Sequence, residues 1–122
     1  MPHANEKPIF VVDDDQGILD SFEAMLGDDY PLVMINNVPD ALELLGEYEP
    51  RLLFLDLKIP HQNGFHVLKW IQKNRLATNV VVVTGLANGN YEESANQYGI
   101  YRYLRKPLDV DEVEDIAREI LN

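Results

Sequence analysis

Apolar residues recur along the chain in short unbroken runs: Ile9–Val12, Leu32–Ile35, Leu52–Leu55 and Val80–Val83, with a weaker fifth at Tyr101–Leu104. The first, third and fourth do not alternate with polar residues. Continuous runs of this length suit strands buried on both faces, as in a parallel sheet covered by helices. Between the runs the apolar period changes to that of a helix. Ile18, Phe22, Met25 and Leu26 share one face, as do Val38, Ala41, Leu42 and Leu45, then Phe65, Leu68 and Ile71. Val113, Ile116, Ala117 and Ile120 make the clearest stripe. Helix starts are marked by Asn37 ahead of Pro39 and by capping-box spacing at Asn90/Glu93 and Asp109/Glu112. Gly99 sits where the fourth helix, about Tyr91 to Tyr98, would stop. That helix has the weakest apolar face.

Five strand–helix units in alternation predict an α/β fold with right-handed crossovers. Of the two common doubly wound orders, five strands favour the flavodoxin-like one: a parallel sheet ordered 2-1-3-4-5 with helices on both faces. One domain over residues 9–122 is expected, preceded by a flexible tail over residues 1–8. Ligands of such folds bind beyond the carboxyl ends of strands one and three, where the order reverses.

Composition narrows the function. The 122 residues carry 10 Lys+Arg against 21 Asp+Glu, a net charge of −11, and no Cys. That excludes disulfides, zinc thiolate sites and thiol nucleophiles. An acidic balance disfavours direct binding to nucleic acid or an anionic membrane. No apolar run approaches the ~18 residues of a membrane helix, and Met1–Lys7 is too polar for a secretory signal. A cytoplasmic module that meets proteins or small ligands is expected.

The ligand rule has a sharp consequence, because Asp13-Asp14-Asp15 and Asp56 close the first and third strands. An Asp after a strand ordinarily caps the next helix, which accounts for one of the three but not for a cluster. Two carboxylates ~5 Å apart repel by roughly 3 kcal/mol at an effective dielectric near 20. A few oxygen ligands open to water suit Mg²⁺, which then works together with a phosphate. The fourth strand ends Val83-Thr84-Gly85 and the fifth Arg105-Lys106-Pro107. Thr84 offers a hydroxyl donor and Lys106 a point charge. Each is weak alone; together at one edge they describe a metal-assisted phosphoryl site. A carboxylate can itself be the nucleophile, forming an aspartyl phosphate.

In these pieces the chain resembles the CheY-like receiver domain of bacterial two-component response regulators, from about Ile9 to Leu121. The matching segments are Val11-Val12-Asp13-Asp14, Leu55-Asp56-Leu57-Lys58-Ile59-Pro60 leading to Asn63-Gly64, Val83-Thr84-Gly85, Tyr103 and Lys106-Pro107. The resemblance implies that Asp56 accepts a phosphoryl group from a sensor histidine kinase or a histidine phosphotransfer protein. It implies Mg²⁺ on Asp13, Asp14, Asp56 and the Lys58 backbone carbonyl. Lys106 and Thr84 would bind phosphoryl oxygens, and Tyr103 would change rotamer as Thr84 moves. The downstream partner would be an output domain or protein. A homodimer through the face of the fourth helix, fifth strand and fifth helix is one arrangement the resemblance allows, with the oligomeric state left open by the sequence. The module would be a signalling phosphoacceptor rather than an enzyme, with limited self-catalysed phosphorylation and dephosphorylation.

Ile59 stands where many family members have Met, and Asn63 where Asp is frequent. His3, His61 and His66 do not form a ligand set. Tyr91, Tyr98, Tyr101 and Tyr103 gather near the switching face, mostly as core or rim. A rival reading takes Asp13-Asp14-Asp15 as the Asp-x-Asp of a haloacid-dehalogenase-like phosphatase, with Asp13 as nucleophile and Asp15 as general acid. It leaves Asp56 idle.

Overall fold

The computed structural model describes residues 7–59, 62–85 and 89–122. Five strands and five helices alternate: β1 (Ile9–Val12), α1 (Gln16–Leu26), β2 (Leu32–Ile35), α2 (Val38–Tyr48), β3 (Leu52–Leu55), α3 (Phe65–Lys73), β4 (Asn79–Thr84), α4 (Gly89–Asn96), β5 (Arg102–Arg105) and α5 (Val110–Leu121). All neighbouring strands are parallel, in the order β2-β1-β3-β4-β5. The order expected from the sequence is the one found.

Successive strand residues point to opposite faces, so each unbroken apolar run feeds two cores. Phe10, Val12, Leu53, Leu55, Val80 and Val82 pack against α2, α3 and Ala95 of α4. Ile9, Val11, Leu52, Phe54, Val81 and Val83 pack against α1 and α5. The predicted α5 stripe of Val113, Ile116, Ala117 and Ile120 is buried throughout. β2 is an edge strand and correspondingly only partly buried over Leu32–Met34.

Caps set the helix starts. The Asn37 side chain accepts from Asp40 N at 2.9 Å, with Pro39 in the first turn of α2. Asp109 accepts from the amides of Asp111 and Glu112 at the start of α5. In α4 the expectation fails by about two residues at each end. Asn90 lies inside the helix rather than ahead of it. At the other end, Tyr98 N and Gly99 N bond to the carbonyls three residues back, at 3.0 and 3.1 Å. Such tight bonds end the α-helix early, and Gly99 exits with φ 69°. A two-residue hairpin, Lys58–Ile59 against Gln62–Asn63, was not expected from the pattern. Residues 1–6 of the expected tail, and His3 and His61, lie outside the described residues. No helix among the described residues is long and apolar enough to cross a membrane.

Candidate functional site

Sheet register brings the acidic residues together. Val12 pairs with Ile35 on one side and Leu55 on the other. The next residues, Asp13 and Asp56, therefore leave the sheet side by side. Asp13 N bonds to Ile35 O at 3.0 Å and Asp56 N to Val12 O at 2.9 Å, extending both ladders by one step. The two side chains are buried, with Asp13 2% and Asp56 6% exposed. Asp14 is exposed at the mouth, and one oxygen from each of Asp13, Asp14 and Asp56 lies within 4.8 Å of the others.

Asp15 does not join them. Its side chain accepts from Gly17 N at 2.8 Å and caps α1. Its amide donates to Asp13 Oδ1 at 2.9 Å, which helps to fix the Asp13 carboxylate. One residue of the Asp run thus has the ordinary capping role, and the other two have none of it.

Lys106 enters from β5. Its backbone N bonds to Thr84 O at 2.9 Å, continuing the β4–β5 ladder. Its Nζ lies 2.9 Å from Asp13 Oδ2 and 3.3 Å from Asp56 Oδ2. The side chain is 20% exposed. Burial pulls its pKa down, but the hydrogen bond to Asp13 and the charges of Asp56 and Asp13 outweigh that, so the ammonium is held above the usual lysine value. One ammonium against three carboxylates leaves the notch net negative. Hard, all-oxygen and anionic, with one exposed wall, it fits a small divalent cation.

Thr84 closes β4 and is 1% exposed. Tyr103 pairs with Val82 in register and is partly buried against the α2–α3–α4 core. Tyr101 is exposed, its hydroxyl donating to Glu119 Oε1 at 2.6 Å. The Tyr91 side chain lies outside the described residues, and so does that of Lys58, whose backbone forms the short hairpin. His66 is exposed on α3.

Two features escaped the sequence reading. One is the Lys106–Asp13 pair, which spans first and last strand regions and leaves no local signal. The other is the close approach at Gly64. A Cβ there would lie 2.6 Å from Leu57 Cα and 2.7 Å from Asp56 O. Gly64 N also donates to Leu57 O at 3.0 Å. Only glycine lets the start of α3 pass so near the chain that carries Asp56.

The chain matches the family described as response regulator receiver domain over residues 9–118. It is 32% identical over 115 residues to the DNA-binding transcriptional regulator NtrC of Escherichia coli, covering 93% of this chain and 24% of that protein. It is 28% identical over 118 residues to sporulation initiation phosphotransferase F of Bacillus subtilis, covering 96% and 94%. The chain thus spans about a quarter of the regulator's length and nearly all of the phosphotransferase's. Among solved structures, the receiver domain of NtrX from Brucella abortus superposes with a TM-score of 0.84 at 29% identity, over 93% of this chain and 97% of that one. A signal receiver domain from Bermanella marisrubri gives 0.84 at 32% identity, over 97% and 100%.

The phosphatase alternative fails on both counts. Its general acid, Asp15, is engaged as a helix cap, and the family match covers the chain from strand one into the last helix. Fold, acidic notch and family match agree: the chain belongs to the response regulator receiver domain family of two-component signal transduction.

Proposed function

We propose that Asp56 is the phosphoacceptor, taking a phosphoryl group from a phosphohistidine on a sensor kinase or phosphotransfer protein. The observation that carries this reading is the convergence of Asp13, Asp14 and Asp56 with the Lys106 ammonium 3.3 Å from the Asp56 carboxylate. In the transfer, an Asp56 oxygen attacks phosphorus. The P–O bond forms as the P–N bond breaks, and the imidazole leaves with the electron pair.

Asp13, Asp14, Asp56 and the Lys58 carbonyl would hold Mg²⁺, which when bound supplies positive charge to the transferring phosphoryl group. Lys106 offsets the rest. Phosphorylation replaces one negative charge with nearly two and adds strong acceptors, to which Lys106 and the Thr84 hydroxyl donate. Tyr103 follows Thr84, changing the face of α4, β5 and α5 that meets an output domain, a target protein or a second copy. On this reading residues 9–122 form a cytoplasmic signalling module, with turnover limited to its own acyl phosphate.

Labelling with a radioactive phosphohistidine donor tests the proposal. Stoichiometric label that needs Mg²⁺ and is lost in Asp56→Asn is expected. Equal label in Asp56→Asn overturns it.

A further inference from the structure

Charge is unevenly placed along this chain. All 21 acidic residues fall within residues 1–56 and 92–122, whereas residues 57–91 hold none and carry Lys58, Lys69, Lys73 and Arg75. In the fold, most of that basic segment surfaces on α3. His66, Lys69 and Lys73 are spaced by three and four residues and share its exposed face. Arg75 follows directly, exposed and with φ 53°.

These cations differ from the others in the molecule. Lys7 donates to Glu49 O and Arg51 to Ile120 O. Arg102 pairs with Glu119, Arg105 with Glu92, Arg118 with Asp115, and Lys106 with Asp13 and Asp56. Among the described side chains, Lys69, Lys73 and Arg75 are the basic groups without such a partner. Glu43 and Glu47 are exposed on the adjoining α2 yet form no ion pair with them.

Trp70, the single Trp of the chain, lies at the edge of that α3 face toward α2 and is only partly buried. Its ring edge rests against Gly46 of α2, where a Cβ would come within 3.1 Å of Trp70 Cη2. Trp and Arg are the residue types that most often anchor an interface, and Lys69 and Lys73 would stand at its polar rim.

We propose that this α3 face, Lys69, Trp70 and Lys73 with Arg75, is a docking surface for an acidic segment of a partner polypeptide. Three unpaired cations and an indole match carboxylates interspersed with apolar groups. A polyphosphate backbone fits less well, because it offers the indole no apolar group and its dense, extended charge runs on over the rest of a chain of net charge −11. A second copy brings its own net charge of −11, whereas a short segment brings only a few carboxylates. The face shares no residue with the Asp13, Asp14, Asp56 and Lys106 site, so the inference does not depend on the phosphoacceptor reading.

Titration of the full chain with a short peptide of alternating Glu and Leu, followed by Trp70 emission, tests it. At about 20 mM salt a saturating change is expected, weakened at least about tenfold at about 0.5 M salt. It should vanish in the K69Q/K73Q/R75Q variant. Should that variant not fold, K69Q and K73Q alone are each expected to weaken binding about threefold, since each removes one exposed charge. An unchanged Trp70 emission overturns the proposal, as does a charge-neutralised variant that binds like the wild type. Tighter binding of a DNA oligonucleotide, or self-association that the same substitutions abolish, also overturns it by assigning the face to another occupant.

Discussion

Lys106 Nζ lies 3.3 Å from Asp56 Oδ2, and this contact joins the ends of β5 and β3, which are not neighbours in the sheet. The same ammonium reaches Asp13 at the end of β1. A single side chain therefore ties three strand ends and balances part of the charge that their register concentrates.

Replacing it should expose that charge. Lys106→Met leaves Asp13 and Asp56 buried and close without their cation. We expect a loss of about 2–3 kcal/mol in chelator-treated buffer, below the range for a fully buried pair because Lys106 retains some exposure. Saturating Mg²⁺ should recover much of it, since a ligand at 100 times its dissociation constant stabilises the folded state by about 2.7 kcal/mol. Urea unfolding with and without Mg²⁺ checks this; a variant as stable as wild type in chelator contradicts it.

The raised Lys106 pKa sets a direction for pH dependence. A lysine held above its ordinary value contributes its full stability below the unfolded value, about 10.4. That contribution is lost as pH rises through the folded value. In chelator, the urea midpoint should fall more steeply above about pH 10 in wild type than in Lys106→Met. Parallel curves would show that the ammonium is not preferentially held in the folded state.

At Gly64 the neighbours that a side chain would strike are backbone atoms of Asp56 and Leu57, which cannot rotate away. Gly64→Ala should cost about 1–3 kcal/mol and slow phosphoryl transfer to Asp56. Unfolding midpoints and labelling rates measure the two effects. Wild-type values for both would mean that the loop yields without moving the acceptor.

The switching face offers a separate readout. With Mg²⁺ and beryllofluoride bound, NMR resonances of Tyr103 and of α5 should move, and Thr84→Ala should reduce the change. Driving a two-state equilibrium from 1:99 to 99:1 needs about 5.5 kcal/mol of differential stabilisation. Unmoved resonances at saturation would remove the basis for coupling through Tyr103.

The sheet was legible because burial on both faces leaves unbroken apolar runs. The runs at Ile9–Val12, Leu32–Ile35 and Leu52–Leu55 are the strands observed. The strand ends then carried Asp13, Asp14 and Asp56 into one notch, a consequence of parallel order alone. α4 was read less well, for a physical reason: Ala95 is its buried residue among those described, so little periodicity marks its bounds. The residue pattern alone did not say which of Asp13, Asp14 and Asp15 caps α1, since capping depends on which carboxylate faces the Gly17 amide; the family resemblance singled out Asp13 and Asp14 for the metal. The Gly64 approach and the three-strand reach of Lys106 are tertiary contacts with no local trace.

The most direct measurement is chemical location of the phosphoryl group. After reaction with a phosphohistidine donor and Mg²⁺, borohydride reduction converts an acyl phosphate to an alcohol that mass spectrometry can place in the chain. The reduced residue should be Asp56, at near-stoichiometric yield. Reduction at Asp13 or Asp14 instead, or none at any aspartate, would contradict the account.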